Sequence, residues 1–394
     1  MRIVVAGLAA TYPLGGVFWD YMQYVLGLRR LGHDVLYLED TGQWSYDPER
    51  RTFVESGVGN AAYLQTQLAR AGPDLSQSWF YRDGAGNTYG RDWADVVGFC
   101  RSADVFLHVS ASCIMRDEYR AARVAFIDSD PMYTQANVPD YLAGTCSDGV
   151  RGNIEWLRDN HDVHFTFAEN IGAPDCKVPS EVFRWKTTRQ PIVLDQFRPA
   201  RLAPLARRRV LTTVASWETK QGGPKVGGVQ YFGKNAEFER FMTLPASAAA
   251  PLEVAMSGAA PVDRMRESGW RVIDAWTVSR DPWRYRAYLA DSLGEFSVAK
   301  NAYVASRSGW FSCRSACYLA LGVPVVVQDT GFSEWLGGGE GVLPFTDAAG
   351  AAEAIARLAA EPERHARAAI EIAEAVFDSD RVLTRLLEDA TTSL

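Results

Sequence analysis

The stretch that decides the fold is residues 308–332, SGWFSCRSACYLALGVPVVVQDTGF. It predicts a loop and then a helix that opens near Ser312 or Ser315, because serine is a good N-cap residue. Gly322 ends that helix, and the apolar run at residues 323–327 is typical of a buried parallel strand. A helix followed at once by such a strand predicts an α/β fold.

The start of this predicted helix is suited to bind an anion. Unpaired N–H groups and the helix dipole attract phosphate to a helix N-terminus, and Arg314 adds a fork of charged donors. The loop after the predicted strand lies where open α/β sheets hold their ligands. We therefore expect phosphate and hydroxyl recognition side by side, by Ser312, Arg314, Ser315, Gln328, Asp329, Thr330 and Gly331.

The composition is that of a globular protein with two domains. The chain has 394 residues, of which 47% are hydrophobic and 23% charged. Its net charge of -7 argues against nucleic acid as a partner, because phosphate backbones attract basic surfaces. Since no apolar run reaches the roughly 18 residues of a membrane span, we expect a cytoplasmic protein. Six cysteines without paired spacing predict buried thiols, and no metal site is expected.

Short apolar runs alternate with helical patterns along the chain, which predicts parallel sheets with right-handed crossovers. In the first half the runs are residues 3–6, 35–38, 105–109, 124–127 and 165–168, with helices at 18–31 and 61–71. Residues 184–208, which contain several prolines, are the predicted linker. A second series follows at residues 210–215, 254–256, 271–273, 296–298 and 323–327.

The segment GVPVV at residues 322–326, followed by the loop glycine Gly331, resembles the donor-binding half of GT-B-fold glycosyltransferases of families 1 and 4. Retaining members carry two glutamates where this chain has Gly309 and Cys317. Trp310, Ser312 and Arg314 are then the residues expected to contact the donor instead. A closer likeness, over most of the chain, is to bacterial proteins described only as glycosyltransferases, on residues 295–301 and 314–320.

This resemblance implies two Rossmann-like domains facing a cleft. Residues 1–190 would hold the acceptor and residues 205–370 the donor, while residues 371–394 would cross back to the first domain as a helix. The implied activity is that of a hexosyltransferase, which moves a sugar from a nucleotide diphosphate sugar to a hydroxyl-bearing small molecule or glycan. No metal and no cofactor besides this co-substrate are implied, and both retention and inversion are compatible with the pattern.

Further donor contacts are implied at Gly15, Gly16, Lys234, Trp276 and Lys300. The glycine pair precedes a helix at the spacing of the Gly-Gly loop that approaches a donor diphosphate; the alternative is a plain turn. The lysines would bind phosphate or be ordinary surface residues, and the tryptophan would contact the nucleobase or belong to the core. The glycine-rich residues 222–228 form a loop that either closes over the donor or has no such role.

Three aspartates are candidates for the catalytic base. Asp20, on the first predicted helix, would replace the histidine of inverting enzymes, or else simply solvate that helix. Asp128 and Asp130 follow a predicted strand and would accept the acceptor's proton, although Asp-Ser-Asp-Pro also suits a turn. Two rival functions stay open. A sugar-nucleotide epimerase would use Glu295 and Asp329, and a non-catalytic GT-B-like subunit would only bind.

Overall fold

The computed structural model describes residues 1–217 and 223–392, so Gly222 of the predicted glycine-rich loop lies outside the described residues. The first sheet has eight strands in the spatial order Trp185–Thr187, Val163–Thr166, Arg123–Asp128, Val105–Val109, Arg2–Ala6, Asp34–Asp40, Trp79–Arg82 and Thr88–Gly90. Only the last pair is antiparallel. The second sheet has six parallel strands in the order Arg271–Asp274, Leu252–Ser257, Arg208–Ser216, Ser292–Ser297, Val325–Gln328 and Val342–Phe345. The predicted α/β fold with two Rossmann-like domains is confirmed.

The helices connect and cover these sheets. With the first sheet are Gly15–Arg30, Val58–Ala71, Trp93–Arg101, Val138–Leu142, Asp148–Asp159 and Leu194–Phe197. With the second are Lys234–Phe238, Val262–Glu267, Trp276–Ser279, Pro282–Ala290, Asn301–Ser306, Cys313–Ala320, Ser333–Leu336, Ala348–Ala360 and Pro362–Ile372, and the last helix is Ser379–Thr391. Within the described ranges, every helix is too short or too polar to cross a lipid bilayer.

Most predicted strands lie inside observed ones, because central parallel strands are continuous apolar runs with both faces covered. The run predicted at residues 165–168 is displaced, since the strand is Val163–Thr166 and includes a buried histidine and threonine. The predicted linker begins inside the first sheet, where the edge strand Trp185–Thr187 pairs with that strand. An edge strand of three residues has too few apolar positions to be recognised in the sequence.

The order of the strands creates one crevice in each sheet. In the first sheet the chain runs outward from Arg2–Ala6 in one direction and later returns on its other side at Val105–Val109. In the second sheet Arg208–Ser216 and Ser292–Ser297 form the same kind of reversal. Ligands of open α/β sheets bind outside the carboxyl ends of the strands at such a switch point.

The last helix, Ser379–Thr391, packs on the first helix, Gly15–Arg30. Arg30 pairs with Asp380 at 3.0 Å between Nε and Oδ2. A Cβ atom on Gly27 would lie 2.5 Å from Leu383, so the glycine allows the two helices to approach closely. The end of the chain is thus anchored on the domain in which the chain begins.

Candidate functional site

A cavity of about 510 Å³ lies at the switch point of the first sheet, and we call it the first-sheet cavity. Its walls come from the first helix and from the loops after three neighbouring strands, and include Tyr12, Asp20, Tyr24, Ser110, Asp128 and Tyr133. Cys313, the first residue of the helix Cys313–Ala320, contributes to its wall from the other domain. The cavity therefore opens onto the cleft between the two domains.

A second pocket lies at the switch point of the second sheet, and we call it the second-sheet pocket. It is lined by Lys234, Ser297, Arg314, Ser315, Gln328 and Thr330, around the start of the helix Cys313–Ala320. Its volume is about 20 Å³, which is enough for about one water molecule. The residues of the sequence-predicted phosphate site are therefore together, but their side chains fill the space between them.

Arg314 is the most firmly held side chain of this pocket. Its Nε donates to Glu295 at 2.7 Å, and its two terminal nitrogens donate to the carbonyl of Val214 and to Ser297 Oγ. Burial alone would lower the pKa of Arg314, but the carboxylate of Glu295 raises it, so the arginine stays charged. Three of its five N–H groups are engaged, and Arg314 is not the free fork that the sequence suggested.

Lys234 and Ser315 are two polar groups of this pocket that have no partner in the part of the chain that the structure describes. Among the described residues no hydrogen bond or ion pair involves Lys234 Nζ, and Ser315 Oγ is fully buried with no hydrogen-bond partner. Burial and the like charge of Arg314 lower the pKa of Lys234 to about 7, against the opposing effect of Glu295. A cation and a hydroxyl left unpaired at a helix start form a site that an anion would complete.

Of three further predicted donor residues, Gln328 and Thr330 line this pocket, and Asp329 stands between them in the chain. Gln328 accepts from the backbone N–H of Ala299 and donates to Glu237. Asp329 accepts from Gly331 N–H and Ser333 Oγ, which fixes the loop. Thr330 donates its hydroxyl to a backbone carbonyl. The side chains of Gln328, Asp329 and Thr330 are therefore used inside the protein.

Trp310 and Gly331 connect this wall to the first domain. The indole N–H of Trp310 donates to the carbonyl of Ser129 across the cleft at 3.1 Å. Gly331 has φ +92°, and a Cβ atom there would lie 2.7 Å from Asn170 Nδ2. Asn170 itself donates to the carbonyl of Gly331 at 2.9 Å. Ser312 is the N-cap residue, although its side chain makes no capping hydrogen bond.

The three candidate carboxylates differ in their surroundings. Asp20 lines the first-sheet cavity, and its carboxylate has no hydrogen-bond partner among the described residues. Burial raises the pKa of Asp20 to about 7, although the charge of Arg314 opposes the shift. Asp128 is buried and accepts hydrogen bonds from three side chains, those of Thr134, Gln135 and Thr166. Asp20 is therefore the carboxylate that is free to act on a ligand.

The third carboxylate, Asp130, forms an ion pair across the cleft. Lys300 Nζ lies 2.7 Å from its Oδ2 and also sits over the ring of Tyr133, 4.6 Å from the centroid. This pair joins a predicted donor residue to a predicted catalytic one. Each charge neutralises the other, and the ion pair joins the two domains.

Two predicted contacts lie outside both cavities. Gly15 and Gly16 begin the first helix and face Tyr285 of the second domain, where a Cβ on Gly15 would lie 2.7 Å from the tyrosine Cβ. Trp276 is half-buried after the edge strand Arg271–Asp274 and lines neither cavity. The placement supports neither the diphosphate contact of the glycines nor the nucleobase contact of the tryptophan.

Several residues of the site were not predicted from the sequence. Glu237 holds Gln328, Asn170 fastens Gly331, and Tyr24 lines the first-sheet cavity with a buried, unpartnered hydroxyl. Glu295 was named only as a carboxylate for an epimerase, whereas in the structure it holds Arg314. Glu295 carried a usable signal, because a glutamate inside a buried strand requires a charged partner. Glu237 and Asn170 have no local signal, since their partners are distant in sequence, and no pattern around Tyr24 shows that its hydroxyl is left without one.

No protein-family model matches the chain, and comparison with curated proteins gives no match. Solved structures do match over nearly the whole chain. An alpha-glucosyltransferase in complex with UDP and a 13-mer DNA has a TM-score of 0.58 and 11% identity, with 100% of both chains covered. Sucrose-phosphate synthase from Thermosynechococcus elongatus has a TM-score of 0.53 and 12% identity, with 98% of both chains covered. AviGT4, a glycosyltransferase involved in avilamycin A biosynthesis, has a TM-score of 0.51 and 13% identity, with 99% of this chain and 97% of that chain covered. The chain has the GT-B fold that the sequence predicted, in which two Rossmann-like domains face a cleft.

Proposed function

We propose that this protein is a glycosyltransferase, which transfers a sugar from a nucleotide diphosphate sugar to a hydroxyl group of an acceptor in the first-sheet cavity. One observation carries the proposal. Asp20 and Lys234 are opposite charges without partners among the described residues, and they lie on the two sides of the start of the helix Cys313–Ala320. A sugar transfer needs a base for the acceptor hydroxyl and a site for the anionic leaving group, and these two side chains are placed to supply them. The UDP bound to the alpha-glucosyltransferase of the same fold is consistent with such a donor.

The donor's diphosphate would bind at the helix start. The unpaired backbone N–H groups, Lys234 Nζ, Ser315 Oγ and the two remaining N–H groups of Arg314 would donate to its oxygens. These donors stabilise the negative charge that develops on the departing diphosphate. In this proposal they supply the positive charge that a bound metal supplies in other transferases, and the reaction is metal-independent.

The second-sheet pocket must widen to admit a donor, because its present volume is about 20 Å³. The contacts that would separate are those across the cleft, the Lys300–Asp130 ion pair and the Trp310–Ser129 hydrogen bond. Each joins a residue beside one cavity to a residue beside the other. Opening admits the donor, and renewed closure keeps water from the reacting sugar.

Asp20 would act as the general base. Its carboxylate takes the proton of the acceptor hydroxyl while the hydroxyl oxygen forms a bond to the anomeric carbon. The bond from that carbon to the diphosphate oxygen breaks, and the electron pair leaves with the diphosphate, beside Lys234. A pKa of about 7 suits this role, because a base is most effective when its pKa is near the working pH. Direct displacement of this kind inverts the configuration.

The two rival functions have less support. Epimerisation needs carboxylates that converge on the donor sugar, but Asp329 fixes its own loop and Glu295 is held by Arg314. A subunit that only binds has no use for a carboxylate kept unpaired and partly buried at the junction of two cavities, which is costly for the folded state.

A thermal-shift screen with UDP, GDP, dTDP, ADP and CMP tests the proposal. A ligand at ~100 times its Kd adds roughly 2.7 kcal/mol to the free energy of unfolding. One diphosphate should raise the Tm of the wild type and of Lys177→Ala, which removes an exposed lysine that lines neither cavity. The same ligand should have little effect on Lys234→Ala. Equal shifts in both variants, or no shift with any nucleotide, would contradict the proposal.

A further inference from the structure

We infer that the acceptor is a small, planar, phenol-type compound that is neutral or cationic, and that glycans and nucleic acids are poor acceptors. The inference rests on the proposed function for the transfer step, but the binding preference is a property of the first-sheet cavity alone. Its support is the size of that cavity, the state of each polar group in its wall, and the sign of its charge.

The cavity has the size and the surface of a small-molecule site. Its volume of about 510 Å³ falls within the range of roughly 300–1,000 Å³ that is usual for drug-sized ligands. Five aromatic side chains line it, those of Tyr12, Tyr21, Tyr24, Phe126 and Tyr133. Aromatic faces bind planar rings by offset stacking and edge contacts. The wall therefore favours a flat ligand of one or a few fused rings.

Most polar side chains of the wall already have partners inside the protein. Tyr12 donates to Gln43, Ser110 and Ser129 share a hydrogen bond, and Tyr21 bonds Ser110. The other engaged groups are those of Asp128, Asp130, Thr134 and Gln190. A sugar ring presents several hydroxyls, each of which needs a partner when it leaves water. This wall offers too few partners for a glycan.

Among the described residues of the wall, the carboxylate of Asp20 and the hydroxyls of Tyr24 and Tyr133 have no hydrogen-bond partner and remain for a ligand. The Tyr24 side chain is 1% exposed, and its hydroxyl has no hydrogen-bond partner. The Tyr133 hydroxyl is also buried without one. A buried hydroxyl without a partner is unfavourable, so a ligand that supplies one is bound more tightly. A single acceptor hydroxyl can donate to Asp20 and accept from Tyr24, which accounts for one phenol group.

The charge of the cavity excludes anions. Asp20, Asp128 and Asp130 contribute to its wall, and Lys300, the cation beside them, is paired with Asp130. Phosphorylated or nucleic-acid acceptors would be repelled, because such ligands need a surplus of positive charge. Tyr12 lines the cavity, and its ring lies 6.0 Å from that of Tyr46 and 6.1 Å from that of the exposed Phe53, measured between centroids. An apolar extension of the acceptor can follow these rings toward solvent.

Equilibrium binding of umbelliferone, followed by its fluorescence, tests the inference in a buffer near pH 7, where most of the phenol is protonated and about half of Asp20 is ionised. Tyr24→Phe keeps the ring and removes only the hydroxyl, and should raise the Kd about threefold to tenfold, the effect of one hydrogen bond. Tyr63→Phe is the matched control, because the Tyr63 hydroxyl is also buried and unpartnered but lies outside the cavity. Its Kd should equal that of the wild type. Neither change should lower the Tm, since each removes an unsatisfied polar group.

Maltotriose and a short DNA duplex are the competing ligands. Both should leave bound umbelliferone in place at concentrations far above those at which unlabelled umbelliferone displaces it. Displacement by either, absence of umbelliferone binding, or equal Kd values for Tyr24→Phe and the wild type would overturn the inference. The nucleotide screen is separate. Umbelliferone binding without any nucleotide shift would refute the proposed function alone, and a nucleotide shift without umbelliferone binding would refute the inference alone.

Discussion

The first-sheet cavity and the second-sheet pocket occupy the same topological place, the switch point of a parallel sheet, but the first is about 510 Å³ and the second about 20 Å³. The second is filled by long charged and amide side chains that bind one another, chiefly Arg314 with Glu295 and Gln328 with Glu237. The first is lined by tyrosine rings that stand along its wall. The comparison teaches that topology places a crevice, while side-chain pairing decides how much of it remains for a ligand.

The largest effect is expected where the second-sheet pocket is held together. Arg314→Ala leaves Glu295, which is 0% exposed, as an unpaired buried charge. We expect a loss of about 3–5 kcal/mol in the free energy of unfolding, measured by urea denaturation. Replacing both partners, as Arg314→Met with Glu295→Leu, should recover most of it, because no charge is then left buried. If the double variant is no more stable than the single one, the pair is not the element that fills this pocket.

The next effect concerns the free carboxylate of the first-sheet cavity. Asp20→Asn keeps the shape of the side chain but cannot accept a proton, so the single-turnover transfer rate should fall about 10²- to 10⁴-fold. In the wild type the rate should rise with pH through about 7, where Asp20 loses its proton. Asp128→Asn is the comparison, because Asp128 is engaged by three side chains. A larger rate loss in that variant would identify Asp128, and not Asp20, as the general base.

A third test asks whether the glycine pair belongs to the packing of the two domains. A Cβ on Gly15 would lie 2.7 Å from that of Tyr285, whereas one on Gly16 would lie 3.6 Å from the ring. Gly15→Ala should therefore cost about 1–3 kcal/mol of stability, and Gly16→Ala should be neutral or slightly stabilising. Neither should change nucleotide affinity. Weaker nucleotide binding without loss of stability would instead support the sequence-based prediction that these glycines contact the donor diphosphate.

The smallest effect is the pH dependence of the second-sheet pocket. Only protonated Lys234 attracts the diphosphate, and its pKa of about 7 in the free protein means that the charge is lost as the pH rises. Nucleotide affinity should fall by up to about tenfold for each pH unit above that value. Lys234→Arg stays charged throughout this range, so its affinity, measured by titration calorimetry, should be nearly constant. An identical pH profile in the two proteins would assign the titration to another group.

The sequence by itself determined the fold class, most of the strands and the start of the helix Cys313–Ala320, because apolar runs, caps and turn residues act through near neighbours. It also brought Ser312, Arg314 and Ser315 together, since they lie within one helical turn. It located the edge strands poorly, because these are short and only partly apolar. The sequence alone did not show which candidate side chains are free to bind a ligand.

That distinction was made by the tertiary structure. Asp20, Asp128 and Asp130 read alike in sequence, yet Asp20 is left unpaired, Asp128 is bound by three side chains and Asp130 is paired with Lys300. Likewise Arg314 is held by Glu295, while Lys234 has no partner within residues 1–217 and 223–392. Hydrogen bonds and ion pairs form between groups that the fold brings together from distant positions, so only the folded chain decides which polar groups are satisfied and which remain for a ligand.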